Sequence, residues 1–394
     1  MRSDWIRRAA AVRLARPAAI LAGLFLGVAP GSFAQETPLS KNAISVNMPP
    51  NSPVSVISYS SDQSRATSMG AAIRLDLDMV LMLRNGSPSH IRGITLRVIS
   101  QEAVPGGKGS VTKVSLNVAQ GEVFPVDIHM QLVRPTQVAS GPLVQVDLDG
   151  VLFQDLSFYG VDKLNSRRYL TACEMEAQRD RAYFRQVLLR NGKDGLKRAM
   201  LESLARQSQP SLNVRVWRGN GPSVTSAALP PEHEARFAFL QFPDSPVEPV
   251  AGWARINGNE ARAPEIDVRN TSPKPVKYVE FGWLVSDPAG REYMAAALPS
   301  SESTLYLPAG SQGVVRQDSS LRFSLGGQPV NIEKMTGFIS QVEFADGKVW
   351  VPSRQNLDNP VLQRVLAPSA EEQRLSHIYL TRGPEALIEE LKKF

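Results

Sequence analysis

The 394-residue chain is poor in cysteine and histidine, with Cys173 alone and four scattered histidines, His90, His129, His233 and His377. A single cysteine excludes an internal disulfide, so stability has to come from core burial, which domains of ~150 residues can supply. Histidines at these separations offer no metal-ligand spacing. HExxH, GxSxG, CxxC, a Walker A loop and a GxGxxG after a strand are all missing. The local signatures of zinc hydrolysis, serine hydrolysis, dithiol redox chemistry and nucleotide binding are therefore absent. Beyond residue 34 no apolar run is long enough to form a transmembrane helix. Positive charge is also scarcer than the formal net charge of +6 suggests. Arg2, Arg7, Arg8, Arg13 and Arg16 against Asp4 place +4 in residues 1–34, leaving +2 for the rest. Such a balance gives no argument for a nucleic-acid partner. No cofactor and no metal is expected.

Residues 1–34 have the composition of a secretory signal. A basic segment precedes the apolar run Ala18–Ala29, and the small residues Ser32 and Ala34 fit cleavage before Gln35. The expected location is the periplasm or the extracellular space. Residues 35–52 read as an extended segment with an edge strand near Ala43–Asn47. From 53 to 164 short alternating runs are separated by Gly106-Gly107, Gln120-Gly121, Gly141-Pro142 and Asp149-Gly150. The clearest places Leu75, Leu77, Met79, Leu81 and Leu83 on one face, a period of two. Many short strands without intervening helices predict an antiparallel β-sandwich.

At 165–209 the period changes to helical. Leu170, Cys173, Ala177, Phe184 and Leu188 form one stripe, Asn165 stands where an N-cap belongs, and Asn191-Gly192 divides the segment into a helical hairpin. Residues 210–244 read as linker and loop, with a strand at Leu212–Trp217 and the long loop Gly219–Pro231. The first plan then restarts. Arg84-Asn85-Gly-Ser-Pro recurs as Arg269-Asn270-Thr-Ser-Pro, Ser52-Pro53-Val54 as Ser245-Pro246-Val247, and Gln145-Val146-Asp147-Leu148 as Gln341-Val342-Glu343-Phe344. A second β-sandwich is expected over 245–353 and further helices over 354–394. Ser369 and Glu372 form a capping box there, and Gly383-Pro384 opens the last helix.

Candidate sites are few. Asp76, Asp78, Asp147 and Asp149 alternate with buried positions, and carboxylates gathered there would suit calcium; a solvated outer strand face is the plainer account. Asp149-Gly150 and Asp346-Gly347 read as hairpin turns. Trp253, Trp283 and Trp350 fall in the second unit. Trp283 takes an inward position, whereas Trp253 and Trp350 are candidates for stacking on a sugar. Cys173 on the apolar stripe reads as a buried, inert thiol. From Arg167 to Arg206 ten bases face five acids. Arg179, Arg181 and Arg185 are thus candidate contacts to an anionic surface, against the plainer account of a solvated, self-paired helix face.

At the repeated Asn-x-Ser-Pro stretches and the later Asp-Gly pairs the chain resembles bacterial exported proteins with tandem immunoglobulin- or fibronectin-like sandwiches. It is also similar to a family of uncharacterised secreted proteins. The resemblance implies a mainly β fold of two duplicated antiparallel sandwich units, each followed by a helical hairpin. It further implies recognition or scaffolding among envelope or extracellular proteins or glycans, not catalysis. A carbohydrate-binding module using Trp253 and Trp350 is the alternative expectation, and an enzyme of unrecognised type a further one.

Overall fold

Strict alternation over Ala72–Asn85 buries Leu75, Leu77, Met79, Leu81 and Leu83 to between 0 and 3% exposure, while Arg74, Asp76 and Asp78 line the other face. The computed structural model built around such strands describes residues 36–136, 141–217, 232–299, 305–316 and 320–394. The secretory signal of residues 1–34, its cleavage position before Gln35 and the loop Gly219–Pro231 lie outside the described residues. The chain is mainly β, with antiparallel sheets and few helices, and divides into two compact units, residues 1–166 and 167–394.

The first unit holds β1 (Glu36–Pro38), β2 (Ile44–Asn47), β3 (Val54–Ser60), β4 (Arg65–Met69) and β5 (Ala72–Asn85). It continues with β6 (Ile91–Ile99), β7 (Lys108–Lys113), β8 (Val123–Pro135), β9 (Val144–Phe153) and β10 (Phe158–Gly160). One sheet runs β1-β4-β5-β3, with β8 on β5; the other runs β10-β9-β6-β7, with β2 parallel to β9. Their inner faces share one apolar core that includes Leu75, Leu81, Ile94, Leu96, Val126 and Val146.

Asp149-Gly150 is not a turn. It lies inside β9, where Gly150 faces Thr95 and Leu148 faces Leu96, so Asp149 is the extra residue of a bulge. The bulge moves its side chain from the expected solvated face to a fully buried position. There its carboxylate accepts the backbone N–H of Lys163 (3.0 Å), that of Leu164 (3.2 Å) and the Ser166 hydroxyl. Asn165 correspondingly has φ 55°, which is not the extended backbone of an N-cap.

The second unit opens with α1 (Ser166–Gln207), whose first residue closes the preceding unit. Then follow β11 (Asn213–Trp217), β12 (His233–Arg236), β13 (Ala238–Phe239), β14 (Val247–Asn257), β15 (Glu260–Asn270) and β16 (Val276–Ser286). The remaining strands are β17 (Glu292–Pro299), β18 (Gln312–Arg316), β19 (Ser320–Leu325), β20 (Gln328–Pro329), β21 (Lys334–Phe344) and β22 (Val349–Trp350). Helices α2 (Arg354–Leu357), α3 (Pro360–Val365) and α4 (Ala370–Lys392) close the chain. β11 is the strand expected at Leu212–Trp217, whereas β12 and β13 lie where only linker and loop were expected. β12 and β13 add to the edges of sheets through main-chain bonds, which leave little periodic signal. The larger sheet runs β11-β19-β15-β14-β12, with β18 also on β15; the smaller runs β13-β21-β16-β17, with β22 on β21. Trp283 lies in their shared core, its ring 4.7 Å from that of Phe237.

The two Asn-x-Ser-Pro stretches make one set of bonds in both units. Asn85 Nδ2 donates to the carbonyls of Ser89 and Val118, and Asn270 Nδ2 to those of Lys274 and Leu307. Each Oδ1 accepts the backbone N–H two residues on, from Ser87 and Ser272. Both amides are fully buried, so every polar atom they bring inside needs these partners. Asp346-Gly347 is the expected turn, with Gly347 at φ 81° between β21 and β22.

Candidate functional site: a charged cleft among the helices

α1 and α4 pack through Phe184, Leu196, Met200, Leu375, Leu387 and Leu391. Each helix contains one glycine with non-helical backbone, Gly192 (φ 66°, ψ −166°) and Gly383 (φ 83°, ψ 176°). These are conformations that essentially only glycine adopts without strain. Beside the apolar contact lies a layer of charge. Asp180, Glu371 and Glu372 are at most 2% exposed, as is Glu174, and Arg181 is equally buried. Charges this deep persist only when paired and hydrogen-bonded.

The pairing crosses between helices. Arg181 reaches Glu174 (2.5 Å) on its own helix and Glu371 (3.4 Å) on α4, with its guanidinium 4.1 Å from the Phe394 ring centre. Arg374 grips Glu371 with two nitrogens (2.8 and 2.9 Å) and extends to Glu390 (2.6 Å). Asp180 receives Arg179 (2.9 Å) and the Ser369 hydroxyl (2.6 Å), and Arg354 stands 3.7 Å away. Glu372 pairs with Arg206 and lies 3.6 Å from Arg354. Ser369 also accepts the Glu372 N–H as the N-cap of α4. The Glu372 side chain does not reach back as a capping box requires; the arginines hold it instead. Planar, two-pronged guanidinium groups suit this cross-linking role better than ammonium groups.

Electrostatics follow from that geometry. Burial alone lowers the Arg374 and Arg179 pKa values, but their carboxylate partners outweigh it and both stand above the usual arginine value. Burial raises Glu390, yet hydrogen bonds from Lys393 and Arg374 hold it below the ordinary glutamate value.

Next to this layer is a cleft of about 310 Å³. Leu357, Leu362 and Leu366 give it an apolar side, and Arg206, Arg354 and Glu372 a polar one. The Arg354 guanidinium stacks on Tyr183 (4.1 Å), and its buried Nε has no hydrogen-bond partner among the described residues. A space of this size admits a partner's side chain or a small amphipathic molecule bearing a carboxylate.

The arginines singled out from the sequence converge here, though not on an exposed basic face. Arg181 is buried, Arg179 also donates to the Pro352 carbonyl (3.0 Å), and Arg185 donates to the main-chain oxygen of Phe394 (2.5 Å). The guanidinium groups at these three positions are engaged by partners within the chain, which matches the plainer account of self-pairing. Trp253 is half-buried on β14, opposite Arg236 and Glu265. Trp350 packs against two apolar clusters, which occupies part of the ring a sugar would need. Cys173 is only partly buried. Asp76 and Asp78 on β5 meet Arg74, Gln131 and His129, while Asp147 on β9 meets Asn47 and Gln145. No group of three or more His, Cys, Asp or Glu side chains among the described residues is arranged to hold a metal ion. Sequence reasoning missed Asp180, Arg206, Arg354, Glu371, Glu372 and Arg374. Their only signal was charge of opposite sign on two helical segments far apart in the chain.

No family model matches this chain, and no curated protein matches it. Among solved structures it compares with a two-domain protein of unknown function from Bacteroides fragilis, at 7% identity, over 76% of this chain and 92% of that one, with a TM-score of 0.11. A score that low carries no argument about fold or function.

Proposed function

We propose that the chain is an exported, non-catalytic binding or scaffolding protein built from two duplicated immunoglobulin-like sandwich units, each followed by a helical hairpin. The observation that carries this reading is the strand order. β3-β5-β8 facing β10-β9-β6-β7 is matched by β14-β15-β18 facing β22-β21-β16-β17. A short strand runs parallel to β9 in one unit and to β21 in the other. The buried Asn85 and Asn270 make equivalent bonds, which favours duplication over chance similarity. Three-plus-four strands in that order are the arrangement of fibronectin-type domains, which commonly serve recognition. Export is supported by the basic-then-apolar composition of residues 1–34, and points to the periplasm or the extracellular space.

In-cell crosslinking of the tagged protein, followed by mass spectrometry, tests the reading. One dominant envelope or extracellular protein, linked repeatedly through the same unit, is the expected result. Turnover of a substrate that one point substitution abolishes would overturn it.

A further inference from the structure

The helical region of the second unit carries a tip, formed by two bends, that nothing in the core or the charged layer accounts for. Gly192 and Gly383 each interrupt their helix, and the Lys193–Glu385 ion pair (3.2 Å) brings the two bends together. Three residues before each glycine stands a leucine that faces solvent: Leu189 is 86% exposed and Leu380 62%. Leaving a leucine that open forgoes the stabilisation its burial would bring. Here it happens twice, at matching positions of two helices joined at their bends.

Positive charge predominates around the bends. Arg190, Lys193, Lys197, Arg198 and Arg382 are exposed there, against the exposed acids Asp194, Glu385 and Glu389, of which Glu385 is engaged by Lys193 and Glu389 by Lys392. We propose that this tip docks on an anionic lipid surface, with Leu189 and Leu380 entering the headgroup boundary and the flanking cations meeting lipid phosphates. Exposed apolar side chains flanked by Arg and Lys are what interfacial membrane binding requires. Two exposed leucines offer too little apolar area for a protein partner, which needs a broad, complementary patch. The inference is independent of the binding or scaffolding role proposed above and replaces the anionic contact expected at Arg179, Arg181 and Arg185.

Two measurements on the full chain test it. In a Cys173→Ala background, a nitroxide label at Leu380→Cys reports depth through its accessibility to oxygen and to a nickel chelate. Vesicles of phosphatidylcholine mixed with phosphatidylglycerol should raise oxygen access and lower nickel access, while phosphatidylcholine alone leaves both unchanged. Separately, flotation with the anionic vesicles should weaken about fivefold for each cation removed near the surface. The double variant Arg190→Glu, Lys197→Glu should lose more than that, and added salt should mimic it. Leu189→Ser with Leu380→Ser should reduce flotation roughly tenfold or more. Leu189, Arg190, Lys197 and Leu380 are exposed, and unchanged circular dichroism and melting, also of the Cys173→Ala background, confirm that the fold persists. A label indifferent to anionic vesicles, or a charge-reversed variant that floats like the parent, would overturn the proposal. Capture of an acidic protein through the tip with vesicles ignored would do the same.

Discussion

Replacing Arg181 with methionine tests whether the charge between α1 and α4 holds the helical region together. The substitution keeps much of the aliphatic volume and removes the cation that faces Glu174, whose carboxylate has almost no access to water, while Glu371 keeps Arg374. Breaking a buried pair by removing one partner costs about 3–5 kcal/mol, mostly the penalty of an uncompensated buried charge. For a unit of this size each kcal/mol lowers Tm by about 2–4 °C, so the expected loss is about 6–20 °C. Trp217, Trp253, Trp283 and Trp350 all lie in residues 167–394, so tryptophan fluorescence follows this unit, and far-ultraviolet circular dichroism follows the helices. A second variant isolates the cause. Adding Glu174→Gln to Arg181→Met removes the stranded charge and should restore most of the loss, with Glu371 still held by Arg374. A loss under about 1 kcal/mol would match a solvated surface pair and refute the argument. A double variant no more stable than the single one would show that the cost came from packing.

Glu390 adds a pH dependence. Its pKa is lower in the folded protein than in the unfolded chain, so its contribution is fully present above the unfolded value of about 4.3 and is lost as pH falls through the folded value. Glu390→Gln should therefore flatten the acid limb of a stability–pH profile measured by urea titration. Asn85→Ala and Asn270→Ala each leave a backbone N–H, that of Ser87 or Ser272, without its acceptor and remove a donor from two carbonyls, at a cost of about 1–3 kcal/mol. Hydrogen exchange should place the first loss in the first unit and the second in the second. Gly192→Ala and Gly383→Ala force a side chain into a backbone region reserved for glycine, and should each cost about 1–3 kcal/mol by chemical denaturation.

The strands were legible because alternation is a local property. Leu75 to Leu83 announce their own face, and the paired Asn-x-Ser-Pro stretches announce where each such strand is entered. Asp149 was misread because a bulge is one extra residue that leaves the alternation of its neighbours intact; only the partner strand shows which side it faces. The partners of the arginines were hidden for a related reason. Along α1 they look unmatched, since their counterions Glu371 and Glu372 arrive from a helix far along the chain. The short edge strands His233–Arg236 and Ala238–Phe239 are held by main-chain bonds, for which sequence carries almost no code, unlike Leu212–Trp217 with its own alternation. Trp350 is intelligible only once α2 and α3 are seen to share its apolar cluster.

The contact between α1 and α4 has a consequence in time. Its two halves are separated by the 162 residues between Gln207 and Ala370. At about 5–20 residues per second, α1 leaves the ribosome roughly 8–30 s before its partner exists. Throughout that interval Phe184, Leu196 and Met200 have no Leu375, Leu387 or Leu391 to cover them. The cap of α4 is tied to the same delay, because Ser369 is oriented by Asp180 on the waiting helix. The last helix to be synthesised thus closes the folding of the whole second unit, and a chain cut short before Ser369 would display a long helix with its apolar stripe bare.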